Sequence, residues 1–143
     1  MLNPGQIREL QDKVELFHGL SADDIAKIFS RGMTMRVSQG ETVFYKGTVG
    51  SQMYIVLGGL LGVVDNDKVL AKLRTGDIFG EMALVTQEPR SATVQAIEDS
   101  HLFVLSESTF QKLLTKRVAI RILLNIVRTQ SRRLRDVNAK LSG

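Results

Sequence analysis

An acid and an arginine stand nine positions apart in "FGEMALVTQEPRSATV", Phe79–Val94, and small residues flank each of them. Gly80 precedes Glu81, and Ser91 and Ala92 follow Arg90. Gly80 permits backbone conformations that other residues resist. The next residues, "EMAL", can form one helical turn through Met82 and Ala83. The first N–H groups of such a turn lack intrahelical acceptors and suit an anion. Arg90 brings a permanent charge and a planar fork of donors that matches phosphate oxygens. Ser91 adds a hydroxyl, and the small Ala92 leaves room for backbone approach. An ionised Glu81 only accepts hydrogen bonds, so its partner must be a hydroxyl or a cation. An arginine and helix-start amides for phosphate, beside a glutamate for a hydroxyl, fit a ribose phosphate. Spacing alone also fits a Glu81–Arg90 ion pair closing a loop, which leaves the small residues unexplained.

Three kinds of segment must position these residues. Residues 1–31 read as helical: Leu10, Val14 and Phe17 fall at helical spacing, and Ser21 is an N-cap candidate with Asp24 three residues on. Residues 32–105 change texture. The runs "MTMRV", "TVFYK", "MYIVL", "LLGVV", "VLAKL", "ATVQAI" and "HLFVL" are short, apolar or alternating, and separated by Gly, Asn and Asp. Such spacing predicts a jelly-roll-like antiparallel β-roll, with the Gly80 stretch at a strand end. Residues 106–143 are helical again. Ser106 or Ser108 can cap a helix containing Phe110, Leu113 and Leu114. In the longer helix that follows, Ile120, Leu123, Val127, Gln130, Leu134, Val137 and Leu141 repeat at steps of three and four. That stripe suggests a homodimer seam over 117–141, with polar Gln130 as a register device; the alternative is packing against the same domain. The fold class is mainly β with flanking helices, in one domain over 1–143.

Composition narrows the function. With 143 residues, 43% apolar and 24% charged, the chain has the makings of one globular domain. It has no cysteine, so disulfides and thiolate metal sites are excluded. The longest apolar run, Met53–Val64, is too short to span a bilayer and is split by Gly58-Gly59. The N-terminus lacks a signal-peptide pattern, and the expected setting is soluble and cytoplasmic. Catalysis finds little support. His18 and His101 are the only histidines, one outside the roll and one in a strand, and no nucleophile–base pair presents itself. The net charge of +4 is uneven. Residues 116–143 hold eight Lys/Arg against one Asp, a net of +7, and the remainder holds eleven against fourteen, a net of −3. Such a tail is either a solvated helix face or a contact for nucleic acid or acidic lipid.

The stretch "GDIFGEMALVTQEPRSATVQA", Gly76–Ala96, resembles the phosphate-binding cassette of cyclic nucleotide-binding domains. This family includes catabolite activator protein, kinase regulatory subunits and cyclic-nucleotide-gated channels. "QGETVFYKGTVGSQMYIVLGG" and "LFHGLS" extend the likeness over most of the chain. The resemblance implies that Glu81 accepts from the ribose 2′-hydroxyl beside the Gly80 backbone. It implies that Arg90 pairs with the cyclic phosphate, and that Ser91, Ala92 and the backbone around Met82 and Ala83 complete the cradle. It implies a non-catalytic regulatory sensor for cyclic AMP, with cyclic GMP as the other possibility. The last helix, from about Arg117 to Lys140, would close over the base. Val137 and Asn138 fall where hydroxyl residues of the family approach adenine; Asn138, Arg128 or Arg132 are the candidates to face a base. DNA-binding members read DNA with a helix-turn-helix after the long helix. None is expected here, so direct sequence-specific DNA binding is not; the alternative reading is the sensor part of such a regulator.

Overall fold

The computed structural model describes residues 3–113 and 116–142. Helix α1 (Pro4–Lys13) starts from a capping box in which Asn3 and Gln6 exchange side-chain to backbone hydrogen bonds. Helical spacing places Leu10, Val14 and Phe17 on one helix, but the chain breaks at Val14, whose backbone is extended, and Glu15–Phe17 form a 3-10 turn. The break lets Leu16 and Phe17 both enter the core, where each is at most 1% exposed. Helix α2 (Ala22–Arg31) starts at Ser21 as read: the Ser21 hydroxyl accepts from the Asp24 amide, and the Asp24 carboxylate accepts from the Ser21 amide.

Among the described residues, eight strands make two antiparallel sheets. One runs β1 (Met33–Val37), β8 (Ser100–Ser106), β3 (Gln52–Gly58), β6 (Ile78–Phe79). The other runs β2 (Thr42–Phe44), β7 (Thr93–Ala96), β4 (Leu61–Asp65), β5 (Lys68–Leu73). The continuous apolar run of β3 follows from its place. Tyr54 and Val56 face the interior of the roll with Leu61, Leu73, Val94 and Leu102. Met53 and Ile55 face the other way, against Leu16, Phe17, Ile25 and Ile122. Successive residues of a strand point to opposite faces, so a strand covered on both sides is apolar throughout.

Helix α3 (Glu107–Leu113) is capped by Ser106, whose Oγ accepts from the Thr109 amide at 3.2 Å. Leu114 lies outside the described residues. Helix α4 (Lys116–Ser142) buries Val118, Ile122 and Ile126 against the N-terminal helices. The Asn125 amide donates to the Leu16 and His18 carbonyls at 2.8 and 2.9 Å. Arg117 grips Asp24 at 3.0 Å. No described helix is long and apolar enough to cross a membrane.

Candidate functional site

Strand β6 ends at Phe79, and Gly80 takes a left-handed backbone with φ of +71°. The chain then turns through a single 3-10 turn, Glu81–Leu84, where the sequence suggests one helical turn. The Ala83 amide is taken up by this turn, donating to the Gly80 carbonyl at 3.1 Å.

Arg90 arrives from the far side of the cassette. Its backbone is clamped to the Tyr45–Gly50 turn, with the Gly47 amide donating to the Arg90 carbonyl and the Arg90 amide to Thr48, both at 2.8 Å. Its guanidinium donates to the Gly80 carbonyl at 3.2 Å and the Gln52 carbonyl at 2.8 Å. The guanidinium carbon sits 4.2 Å above the centre of the Phe44 ring. Phe44 belongs to an aromatic floor with Tyr54 and Phe79, the last two stacked at 4.9 Å. Every partner of Arg90 is therefore a neutral group, and its Nε is buried without a hydrogen-bond partner. Burial pulls this guanidinium below the usual arginine range, while the Tyr54 phenol and the Glu81 carboxylate act against that pull. Two glycines make the room. A Cβ on Gly50 would stand 2.5 Å from the guanidinium, and one on Gly80 would stand 2.8 Å from it. Gly50 and Gly80 thus make room for the arginine.

Glu81 is 2% exposed and does not pair with Arg90. The ion-pair reading of the spacing fails on that point. Its Oε1 accepts instead from two residues of α4: the Gln130 amide, and the Arg133 guanidinium at 2.7 Å. Arg133 also donates to the Ile78 carbonyl at 2.7 Å. Both donors reach Oε1, and no described residue donates to Oε2. One charge of the site is balanced and the other, Arg90, has no acidic partner among the described residues.

All seven residues singled out from the sequence, Gly80, Glu81, Met82, Ala83, Arg90, Ser91 and Ala92, border one cavity of about 600 Å³. Phe44, Val63, Leu73 and Val94 of the roll close one side, and Gln130, Arg132, Arg133, Asp136, Val137 and Lys140 of α4 close the other. Of the base-facing candidates, Arg132 lines the cavity, and Arg128 and Asn138 do not; Val137 lines it as well. Sequence reasoning missed Arg133 and Phe44, and it set Gln130 in a dimer seam. The half-buried Gln130 instead bonds the cassette, because the carboxylate of Glu81 offers a stronger acceptor than an apolar seam. The only available signal was that Gln130, Arg133, Val137 and Lys140 share a helix face. Among the described residues, no group of three or more His, Asp or Glu is placed to hold a metal ion.

A β-roll with a flanking helix over a cavity that holds one half-buried arginine and one buried carboxylate defines a small-ligand-binding domain. Residues 34–117, more than half of the chain, match the cyclic nucleotide-binding domain family, and the chain belongs to it. It is 30% identical over 131 residues to the "Cyclic AMP receptor protein" of Thermus thermophilus, covering 88% of this chain and 60% of that protein. The crystal structure of Thermus thermophilus catabolite activator protein superposes with a TM-score of 0.76 at 31% identity, over 90% of this chain and 62% of that one. The cGMP-dependent protein kinase egl-4 of Caenorhabditis elegans is 32% identical over 114 residues, 80% of this chain and 14% of the kinase. The chain thus spans less than two thirds of these relatives.

Proposed function

We propose that this cyclic nucleotide-binding domain is a cytoplasmic, non-catalytic sensor whose ligand is cyclic AMP. The observation that carries the site assignment is Arg90, a half-buried cation that lines the cavity and is held only by neutral groups among the described residues. A cyclic phosphate would give the guanidinium its counter-charge. The free Oε2 of Glu81 would accept from the ribose 2′-hydroxyl. Ser91, Ala92 and the backbone of Gly80, Met82 and Ala83 border the phosphate position. The name of the Thermus relative favours cyclic AMP. The kinase relative keeps cyclic GMP as the comparison ligand.

The sensing step follows from the Glu81–Arg133 and Glu81–Gln130 contacts. They join the cassette to α4, so a ligand that touches Glu81 biases the position of the helix. A ligand shifts the equilibrium only by its differential affinity for the two helix positions. The second reading is the sensor part of a DNA-binding regulator. Calorimetric titration with cyclic AMP and cyclic GMP, on the wild type and Arg90→Ala, tests the assignment. Loss of one charged hydrogen-bonding contact predicts about ten- to a hundredfold weaker binding. Equal affinity in the two proteins would refute Arg90 as the phosphate partner.

A further inference from the structure

Helix α4 beyond Val118 presents three stripes. Gln130, Arg133, Val137 and Lys140 turn to the cyclic nucleotide cavity. Ile120, Leu123, Val127 and Leu134 are exposed. The third stripe, Asn125, Arg128, Thr129, Arg132 and Arg135, faces the 3-10 turn and lines a separate cleft of about 360 Å³ with Glu15 and His18.

The polar groups of this cleft are incompletely matched. Glu15 is occupied: it accepts from the Thr129 hydroxyl at 2.8 Å and pairs with Arg132. That leaves Arg128 and Arg135 with no hydrogen-bond or ion-pair partner among the described residues. Asn125 is 2% exposed, and its Nδ2 is spent on the Leu16 and His18 carbonyls. Its Oδ1 is therefore fixed as an acceptor, and it is buried without a donor. A buried acceptor without a donor is costly, so such a group is normally met by a donor from outside its own side chain. The exposed Arg128 and Arg135 and the side chain of Asn125 border one cleft, and together they match a ligand with an anionic end for the arginine forks and a hydroxyl or amine to donate to Asn125.

We propose that the cleft between the Glu15–Phe17 turn and α4 is a second ligand site, for a small dianion that carries a hydrogen-bond donor, either a phosphomonoester or a dicarboxylate. It shares only Arg132 with the cyclic nucleotide cavity and does not rest on the identity of the ligand there.

The test is a two-dimensional NMR titration of the full 143-residue chain with sn-glycerol 3-phosphate and, separately, malate. Nε–H signals of Arg128 and Arg135 and the side-chain amide of Asn125 are followed to about 10 mM, a range in which even a millimolar site fills. The proposal expects saturable shifts of all three residues with at least one probe. It also expects affinity to fall by at least about tenfold in the Arg128→Gln/Arg135→Gln double variant, since two charged donors are lost. The responding probe says whether the anionic end is phosphoryl or carboxylate. Non-saturating shifts with both probes would overturn the proposal, as would equal affinity in a double variant whose spectrum elsewhere is unchanged.

Discussion

Arg90 illustrates how a residue is prepared for a ligand by what is withheld from it. It is given two carbonyls and an aromatic face, but no carboxylate. Gly50 and Gly80 have roles that follow from that placement. Gly50→Ala would put a methyl group 2.5 Å from the guanidinium, and a long side chain can move aside more readily than backbone. Cyclic nucleotide affinity is therefore expected to drop while thermal stability stays near the wild type; an unchanged affinity by calorimetry would contradict the role given to Gly50. Arg90 and Glu81 were legible in the sequence because their chemistry, a fork of donors and an acceptor beside small residues, is local. Arg133 was not. It lies 52 residues from Glu81, in a run of arginines that looks like any solvated helix face. Only the fold reveals that one of them reaches a carboxylate that is 2% exposed.

At the level of elements, α4 is fastened in two different ways. Its first half is tied to the N-terminal helices by Arg117 on Asp24, Asn125 on Leu16 and His18, and Thr129 on Glu15. Its second half meets the cassette through Gln130 and Arg133 and keeps one tie to the N-terminal turn through Arg132 on Glu15. Hydrogen exchange on adding cyclic AMP is expected to change most in amides after Gln130 and little between Val118 and Thr129. A uniform response along α4 would mean that the helix moves as one piece. Asp24 supports the first half twice, as the returning partner of the Ser21 cap and as the anchor of Arg117. Burial pushes its carboxyl upward, but hydrogen bonds from Arg117 and Ser21 outweigh burial and hold it below the ordinary value of 3.8. A depressed folded-state value contributes stability that is complete at neutral pH and is lost as pH falls below about 3.8. Asp24→Ala is expected to lose about 1–2 kcal/mol at pH 7, from a cap and a surface-facing ion pair, and to lose less at pH 3. Denaturant melts at the two pH values check this, and equal losses at both would contradict it. The strands were legible because turn residues mark their ends: β1 occupies the run "MTMRV" itself. The break at Val14 was not legible, because three apolar residues at helical spacing are equally buried by a helix or by an extended residue and a 3-10 turn.

On the scale of the whole molecule, the basic tail divides by destination. Arg117, Arg132 and Arg133 pair with Asp24, Glu15 and Glu81, so part of the +7 of the last segment serves internal contacts. The apolar stripe has no such use. Ile120, Val127, Leu134 and Leu141 are 56%, 60%, 62% and 81% exposed. A row of apolar residues at coiled-coil spacing is read here as a homodimer seam. Light scattering over a concentration series is expected to show a dimer that Val127→Glu with Leu134→Glu converts to a monomer. A wild-type monomer at high concentration would remove the seam. The central claim is that this roll binds a cyclic nucleotide through Arg90, and calorimetry of the nucleotide-free wild type and Arg90→Ala with cyclic AMP and cyclic GMP tests it most directly. Micromolar or tighter binding, stronger for cyclic AMP and about ten- to a hundredfold weaker in the variant, is the predicted result. Absence of binding to either nucleotide, or binding indifferent to Arg90, would contradict it.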